Sequence, residues 1–123
     1  MDSIIEKKYD DKGNLIKESC TLNGELHGKT VLWCEDGSKL AEIEFVHGKR
    51  EGISKEWYSD GKLKMISNSK NGEYEGPYTS WWPNGSKKED GFYKGGERVG
   101  KYTWYKDNGE ILQVHEYKKK AEK

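Results

Sequence analysis

The feature that most constrains this chain is a 24-residue spacing of its glycines. Gly24, Gly48, Gly72 and Gly96 keep that interval, as do Gly28, Gly52, Gly76 and Gly100, and Gly13, Gly37, Gly61, Gly85 and Gly109. One large aromatic position shares the frame: Tyr9, Trp33, Trp57, Trp81 and Tyr105. A fixed period of this length marks stacked copies of one supersecondary unit, none of which can bury its apolar side alone. The frame divides the chain into a degenerate first repeat or cap (1–22), four full units (23–46, 47–70, 71–94 and 95–118) and a charged tail (119–123).

Each unit has two turns. One is an Asp/Asn-Gly pair: Asp36-Gly37, Asp60-Gly61, Asn84-Gly85 and Asn108-Gly109. Such pairs supply positive φ in a hairpin, with glycine in the left-handed position. The other reads as a longer turn bracketed by glycines, as from Asn23-Gly24 to Gly28 and from Asn71-Gly72 to Gly76. The segments between turns, about six to eight residues each, are rich in aromatic, β-branched and charged residues and read as strands. Short turns make neighbouring strands antiparallel. The expected fold is all-β: an elongated, open antiparallel meander of about ten strands. Trp33, Trp57, Trp81 and Tyr105 are expected to form a ladder down one face.

Composition alone points the other way. Only 32% of residues are hydrophobic and 36% are charged, and mean hydropathy is −1.13, values that lean toward disorder. The periodic glycines and a 12% aromatic content outweigh that. Net charge is 0, which argues against a general nucleic-acid binder. Charge varies locally: residues 23–46 carry two lysines against five acids, and residues 47–70 carry six bases against three acids. That pattern suits one particular partner. No apolar run approaches the length of a membrane span, and the N-terminus lacks a basic start and apolar stretch, so a cytoplasmic location is expected. Cys20 and Cys34 lack metal-type spacing and read as reduced strand cysteines.

No catalytic set emerges. Gly95 to Gly100-Lys101 imitates a phosphate loop, but Tyr102 stands where Ser or Thr is needed; in Gly24 to Gly28-Lys29-Thr30 the first glycine is one residue too close. Both glycine sets belong to the repeat, and no helix follows to complete such a site. His27, His47 and His115 pair with no nucleophile. Glu42 and Glu44, and Glu89-Asp90, read as solvated strand charges. Asn84-Gly85-Ser86 fits a glycosylation sequon but is a hairpin turn. No enzyme activity, cofactor or metal is expected.

The motif that recurs is Asn-Gly-x-x-x-Gly, four residues, Trp-Tyr-x-Asp/Asn-Gly-x-Leu. It stands here as Gly48-Lys49-Arg50-Glu51-Gly52 followed by Trp57-Tyr58-Ser59-Asp60-Gly61-Lys62-Leu63, and as Asn71-Gly72-Glu73-Tyr74-Glu75-Gly76 followed by Trp81-Trp82-Pro83-Asn84-Gly85. It resembles the MORN repeat, and looks most like the bacterial variant of the YwqK-type antitoxin family, over residues 9 to 118. The chain departs from the pattern at Cys34 and Lys106, where a second aromatic is usual, and at Gly91, which interrupts a strand. The resemblance implies a non-catalytic antitoxin- or immunity-type protein that occludes a partner toxin. Its alternative is a structural or membrane-surface scaffold, which needs a basic face; units one and three are net acidic.

Side chains alternate along a strand, so even-numbered aromatics face away from the tryptophan row. Tyr58, Tyr78, Trp82, Tyr102 and Trp104 form the expected partner-binding set. Lys49, Arg50 and Lys55, or Glu25, Glu42 and Glu44, would steer encounter. The end strands, near Ile4–Tyr9 and Ile111–Lys118, offer edges for strand addition or homodimerisation.

Overall fold

The computed structural model describes residues 3–118. It is one antiparallel sheet. In chain order the strands are β1 (Ile4–Tyr9), β2 (Leu15–Leu22), β3 (Glu25–Leu26), β4 (Gly28–Trp33), β5 (Lys39–Val46), β6 (Lys49–Arg50) and β7 (Gly52–Trp57). They continue as β8 (Leu63–Lys70), β9 (Glu73–Tyr74), β10 (Gly76–Trp81), β11 (Lys87–Lys94), β12 (Glu97–Tyr105) and β13 (Ile111–Tyr117). Ten strands follow one another across the sheet, β1-β2-β4-β5-β7-β8-β10-β11-β12-β13, while β3, β6 and β9 pair beside β2, β5 and β8. The open all-β meander expected from the sequence is the fold, and the charged tail 119–123 lies outside the described residues.

The Asp/Asn-Gly turns close as expected. Gly37, Gly61, Gly85 and Gly109 have φ between 90° and 91°. In each, the Asp or Asn carboxylate or amide oxygen accepts the backbone N–H two residues on, as in Ser38 N to Asp36 Oδ1 at 2.9 Å and Lys62 N to Asp60 Oδ1 at 3.0 Å. The other turn differs from the sequence reading. It is a tight two-residue turn: Asn23 and Gly24, His47 and Gly48, Asn71 and Gly72 all have positive φ. This is the mirror-image hairpin geometry that suits twisted strands. A two-residue strand (β3, β6 or β9) follows, and the second glycine turns the chain into the long strand with φ of 105°, 96° and 98° at Gly28, Gly52 and Gly76.

Successive units are stitched at these turns. The N–H groups of Gly48, Gly72 and Gly96 donate to the carbonyls of Leu26, Arg50 and Tyr74 at 2.7, 3.0 and 3.0 Å. One residue earlier, a side chain of the preceding unit accepts a backbone N–H: His27 Nδ1 from His47, Glu51 from Asn71 and Glu75 from Gly95, at 3.2, 3.0 and 2.9 Å.

A single-layer sheet has little interior. The buried apolar residues are Val31, Ala41, Met65 and Tyr102, joined by the small polar residues Ser19, Thr30, Ser54, Ser67, Ser69, Ser80 and Thr103. The tryptophan row corrects one expectation. No ring contact among the described residues joins Trp33, Trp57, Trp81 and Tyr105. The first strands of successive units are separated by a second strand, so equivalent rings stand about 9–10 Å apart. Lysines fill the interval: the Lys39 ammonium lies 5.7 Å from the Trp57 ring centre and that of Lys87 lies 6.0 Å from Tyr105.

Candidate functional site: an aromatic face around Arg98

The tyrosine and tryptophan rings that do meet lie on the opposite face, in the C-terminal half. The repeat frame explains why. Where units one and two have Thr30 and Ser54, units three and four have Tyr78 and Tyr102; where unit two has Ser69, later units have Tyr93 and Tyr117. Register brings these positions side by side, with Tyr78 opposite Gly91 and Glu89 opposite Trp104.

Tyr74, Tyr78 and Tyr93 form a mutual triad, with ring centroids 5.5, 5.1 and 5.6 Å apart. Tyr93 meets Tyr102 edge-on at 6.1 Å, and Tyr102 meets Trp104 at 4.8 Å and Tyr117 at 6.2 Å. The Arg98 guanidinium caps the group, 4.6 Å from the Tyr102 ring centre, 5.3 Å from Trp104 and 6.0 Å from Tyr117. Ring pairs of this geometry contribute about 0.5–1.5 kcal/mol each beyond burial, and a guanidinium over a ring about 0.5–2 kcal/mol.

Tyr102 is the centre of the cluster and is 0% exposed. Its ring lies flat on the backbone of Gly91: a methyl group built there would fall 2.1 Å from Cδ2. Its hydroxyl donates to Glu89 Oε1 at 2.5 Å. Burial, then the hydrogen bond to Glu89, pushes the Tyr102 phenol above its ordinary range. Burial, reinforced by the Glu89 charge, pushes Tyr78 up to about 12. Burial works against the Arg98 charge, but hydrogen bonds to Tyr93 and Tyr117 outweigh it and hold the guanidinium firmly protonated. These groups are therefore neutral phenols around a fixed cation at neutral pH, suited to stacking and hydrogen bonding.

The five aromatics singled out from the sequence separate into two groups. Tyr78, Tyr102 and Trp104 come together in the cluster, with Tyr78 and Trp104 half-buried. Tyr102 supports the surface from beneath and offers no area of its own. Tyr58 and Trp82 stand just past the ends of β7 and β10 and act as staples. The Tyr58 hydroxyl donates to the Trp81 carbonyl at 2.7 Å, and Trp82 Nε1 donates to the Tyr105 carbonyl at 3.1 Å, each reaching the next unit. Tyr74, Tyr93, Tyr117 and Arg98 complete the cluster and were not among the residues singled out; the Ser69, Tyr93, Tyr117 series at 24-residue spacing was the signal for two of them.

The charged residues considered for steering are spread out. Glu42 is held by Lys39 and by Lys29 at 3.5 Å, and the Lys39 hydrogen bond lowers its pKa. Lys55 lies directly across the β5·β7 seam from Glu42. Glu25 lies 3.7 Å from His47 Nδ1, and the Glu44 carboxylate closes over Gly52. Lys49 and Arg50 form β6, across from Val46 and Phe45. Among the described residues no group of three or more His, Cys, Asp or Glu could hold a metal ion.

The arrangement is that of a repeat-based interaction or scaffold module. The model of the family described as MORN repeat variant matches residues 50–71, 74–94 and 98–119, together just over half of the chain. No curated protein matches it. The match begins where the regular motif begins, beyond the unit in which Cys34 replaces an aromatic, and the chain belongs to the MORN repeat variant family.

Proposed function

We propose that this chain is a non-catalytic protein–protein interaction module that binds its partner through the half-exposed rim of the C-terminal aromatic face. The observation that carries this reading is the ring cluster itself. Tyr93 and Trp104 are anchored by contacts to Tyr102, Trp104 also by Arg98, and Tyr78 by Tyr74 and Tyr93, so they present large, rigid amphipathic area at little entropic cost. Rings of this kind dominate interface energetics. The finer reading is a cytoplasmic antitoxin- or immunity-type role, in which this face occludes a toxin surface. It rests on the resemblance of the repeat and on the residues of the face.

Affinity capture from native lysate tests the surface. Wild type would be compared with a Tyr78→Ala/Trp104→Ala variant and with a Trp57→Ala control on the other face. A partner retained by wild type and the control, and lost by the double variant, supports the reading. Equal capture by all three sinks it. Co-expression with the captured partner then tests occlusion: a toxic partner must be neutralised by wild type and not by the double variant.

A further inference from the structure

The outermost strands are the two halves of a unit seam, separated to opposite ends of the sheet. β1 lies 24 residues before β4 and is equivalent to the first strand of a unit; β13 is equivalent to the second strands β5, β8 and β11. Within the array a second strand pairs with the first strand that follows: β2 with β4, β5 with β7 and β8 with β10. Among the described residues, β13 pairs only with β12 and β1 only with β2.

Exposed apolar surface is concentrated on these two strands. Of the ten large apolar residues left exposed among the described residues, Ile4, Ile5, Tyr9, Ile111, Leu112 and Val114 belong to them. Val114 is 45% and Ile5 63% exposed, whereas Val31, on a first strand flanked on both sides, is 9% exposed. Apolar strand edges of this kind invite pairing with another strand.

We propose that the 123-residue chain self-associates head to tail, with β13 of one copy adding antiparallel to β1 of a second copy. The internal seams fix the register. Glu18 stands opposite Val31 in one seam and Glu42 opposite Lys55 in the next. The same frame carried forward by whole units sets Val114 opposite the second copy's Lys7. Glu116 lies on the same face as Val114 and reaches that lysine diagonally. On the other face, His115 stands opposite the second copy's Glu6. Charges on an exposed edge ordinarily guard against pairing, but here no like charges face each other in this register, and Glu116 of one edge lies diagonal to Lys7 of the other. The contact joins different surfaces of the two copies, so it continues into longer assemblies rather than stopping at two. A seam of this size is small, so association belongs to the weak class of interfaces.

Sedimentation of the chain from about 10 μM to about 1 mM tests this, the upper range being chosen for a weak contact. The expected result is a mean mass that rises with concentration past that of a dimer. Val114→Lys sets like charges against Lys7, and Lys7→Glu sets like charges against Glu116; each weakens association by about tenfold or more. Both substituted side chains are on exposed strands, and unchanged circular dichroism verifies the fold. Two further samples are decisive. An equimolar mixture of the two single variants matches every edge with a compatible one, the unchanged β13 with the unchanged β1 and the introduced lysine with the introduced glutamate, and should assemble past a dimer. The Val114→Lys/Lys7→Glu double variant restores opposite charges and should assemble again. A wild type that stays monomeric to the highest concentration overturns the proposal. So does a closed dimer, undiminished assembly of the single variants, or a mixture that forms no complex.

Discussion

Replacing Gly91 by alanine probes the contact on which the aromatic face is built. Gly91 does not lie in the left-handed region, so alanine imposes no backbone strain there. In an ordinary strand position the change would help by about 0.5–1 kcal/mol, because glycine loses more freedom on folding. Here the added carbon would fall 2.1 Å from Tyr102 Cδ2, 2.6 Å from Cε2 and 2.7 Å from Cγ. The ring must lift by more than an ångström to reach ordinary contact at about 3.5–4 Å. It has nowhere to go: Arg98 and Trp104 lie against it, Tyr93 and Tyr117 meet it edge-on, and its hydroxyl is held by Glu89. Forcing volume into such a site costs about 1–3 kcal/mol. The steric cost outweighs the entropic gain, and the expected net loss is about 1–2 kcal/mol.

Urea unfolding followed by circular dichroism measures this, provided that Trp fluorescence gives a coincident transition. The sign in a second background isolates the cause. Tyr102→Ala alone should cost about 3–5 kcal/mol, as for other large buried aromatics. With that ring gone, Gly91→Ala should become neutral or stabilising by up to about 1 kcal/mol. The coupling between the two sites is then about 2 kcal/mol. Gly91→Ala as stable as wild type, or equally destabilising in both backgrounds, would refute the contact as the reason for this glycine.

Three further expectations use the same measurement or a close variant of it. Tyr58→Phe leaves the Trp81 carbonyl without its 2.7 Å donor and should cost about 0.5–1.5 kcal/mol; no change in the urea midpoint would remove Tyr58 as an inter-unit staple. Gly61→Ala meets nothing within 4 Å but has φ of 91°, so it should cost about 1 kcal/mol from backbone strain alone. Gly61→Asn should cost less, and equal losses would point to another cause. Tyr78 is pushed up to about 12 in the folded chain, against about 10 unfolded. The folded state thus favours the neutral phenol, a contribution present in full below pH ~10 and lost as pH rises toward ~12. Alkaline unfolding curves of wild type should fall more steeply through that window than those of Tyr78→Phe, and parallel curves would count against it.

The strand order was legible because glycine marks it. Gly37, Gly61 and Gly85 adopt the left-handed conformation that their Asp/Asn-Gly context implies, and short turns leave an antiparallel meander as the outcome. The second turn was harder to read, because the stretch from Asn71 to Gly76 contains a two-residue hairpin and a two-residue strand rather than one loop. Only the hydrogen bonds of the next unit, such as Gly72 N to the Arg50 carbonyl, distinguish them. The site was half legible. Alternation along a single strand puts Tyr102 and Trp104 on one face, but joining them to Tyr93 and Tyr74 requires the register across β11, which shifts between Asp90 and Phe92. Alternation also fails past a strand end, which is why Tyr58 and Trp82 point to the neighbouring unit's backbone.

The two halves of the aromatic-side face differ in kind, and the difference bears on what the protein can do. In the middle of the sheet the buried positions are hydroxyls, and those of Thr30, Ser54, Ser67 and Ser80 have no protein partner. Each such group contributes less than an apolar one and costs about 1–3 kcal/mol if left unmatched. In the C-terminal half the corresponding positions are tyrosines that touch one another and Arg98. An array whose stability is a sum of unit and seam contributions is therefore strongest where its rings are exposed. An open sheet has no interior in which to hide a core, so the residues that stabilise these units are also the ones that the proposed partner would meet. Binding there would carry little ordering cost, because the anchors are held in the free chain. It also dictates which substitutions can report on binding. Tyr102→Ala removes support and surface together, whereas Trp104→Ala trims the rim of a cluster whose centre stays seated on Gly91.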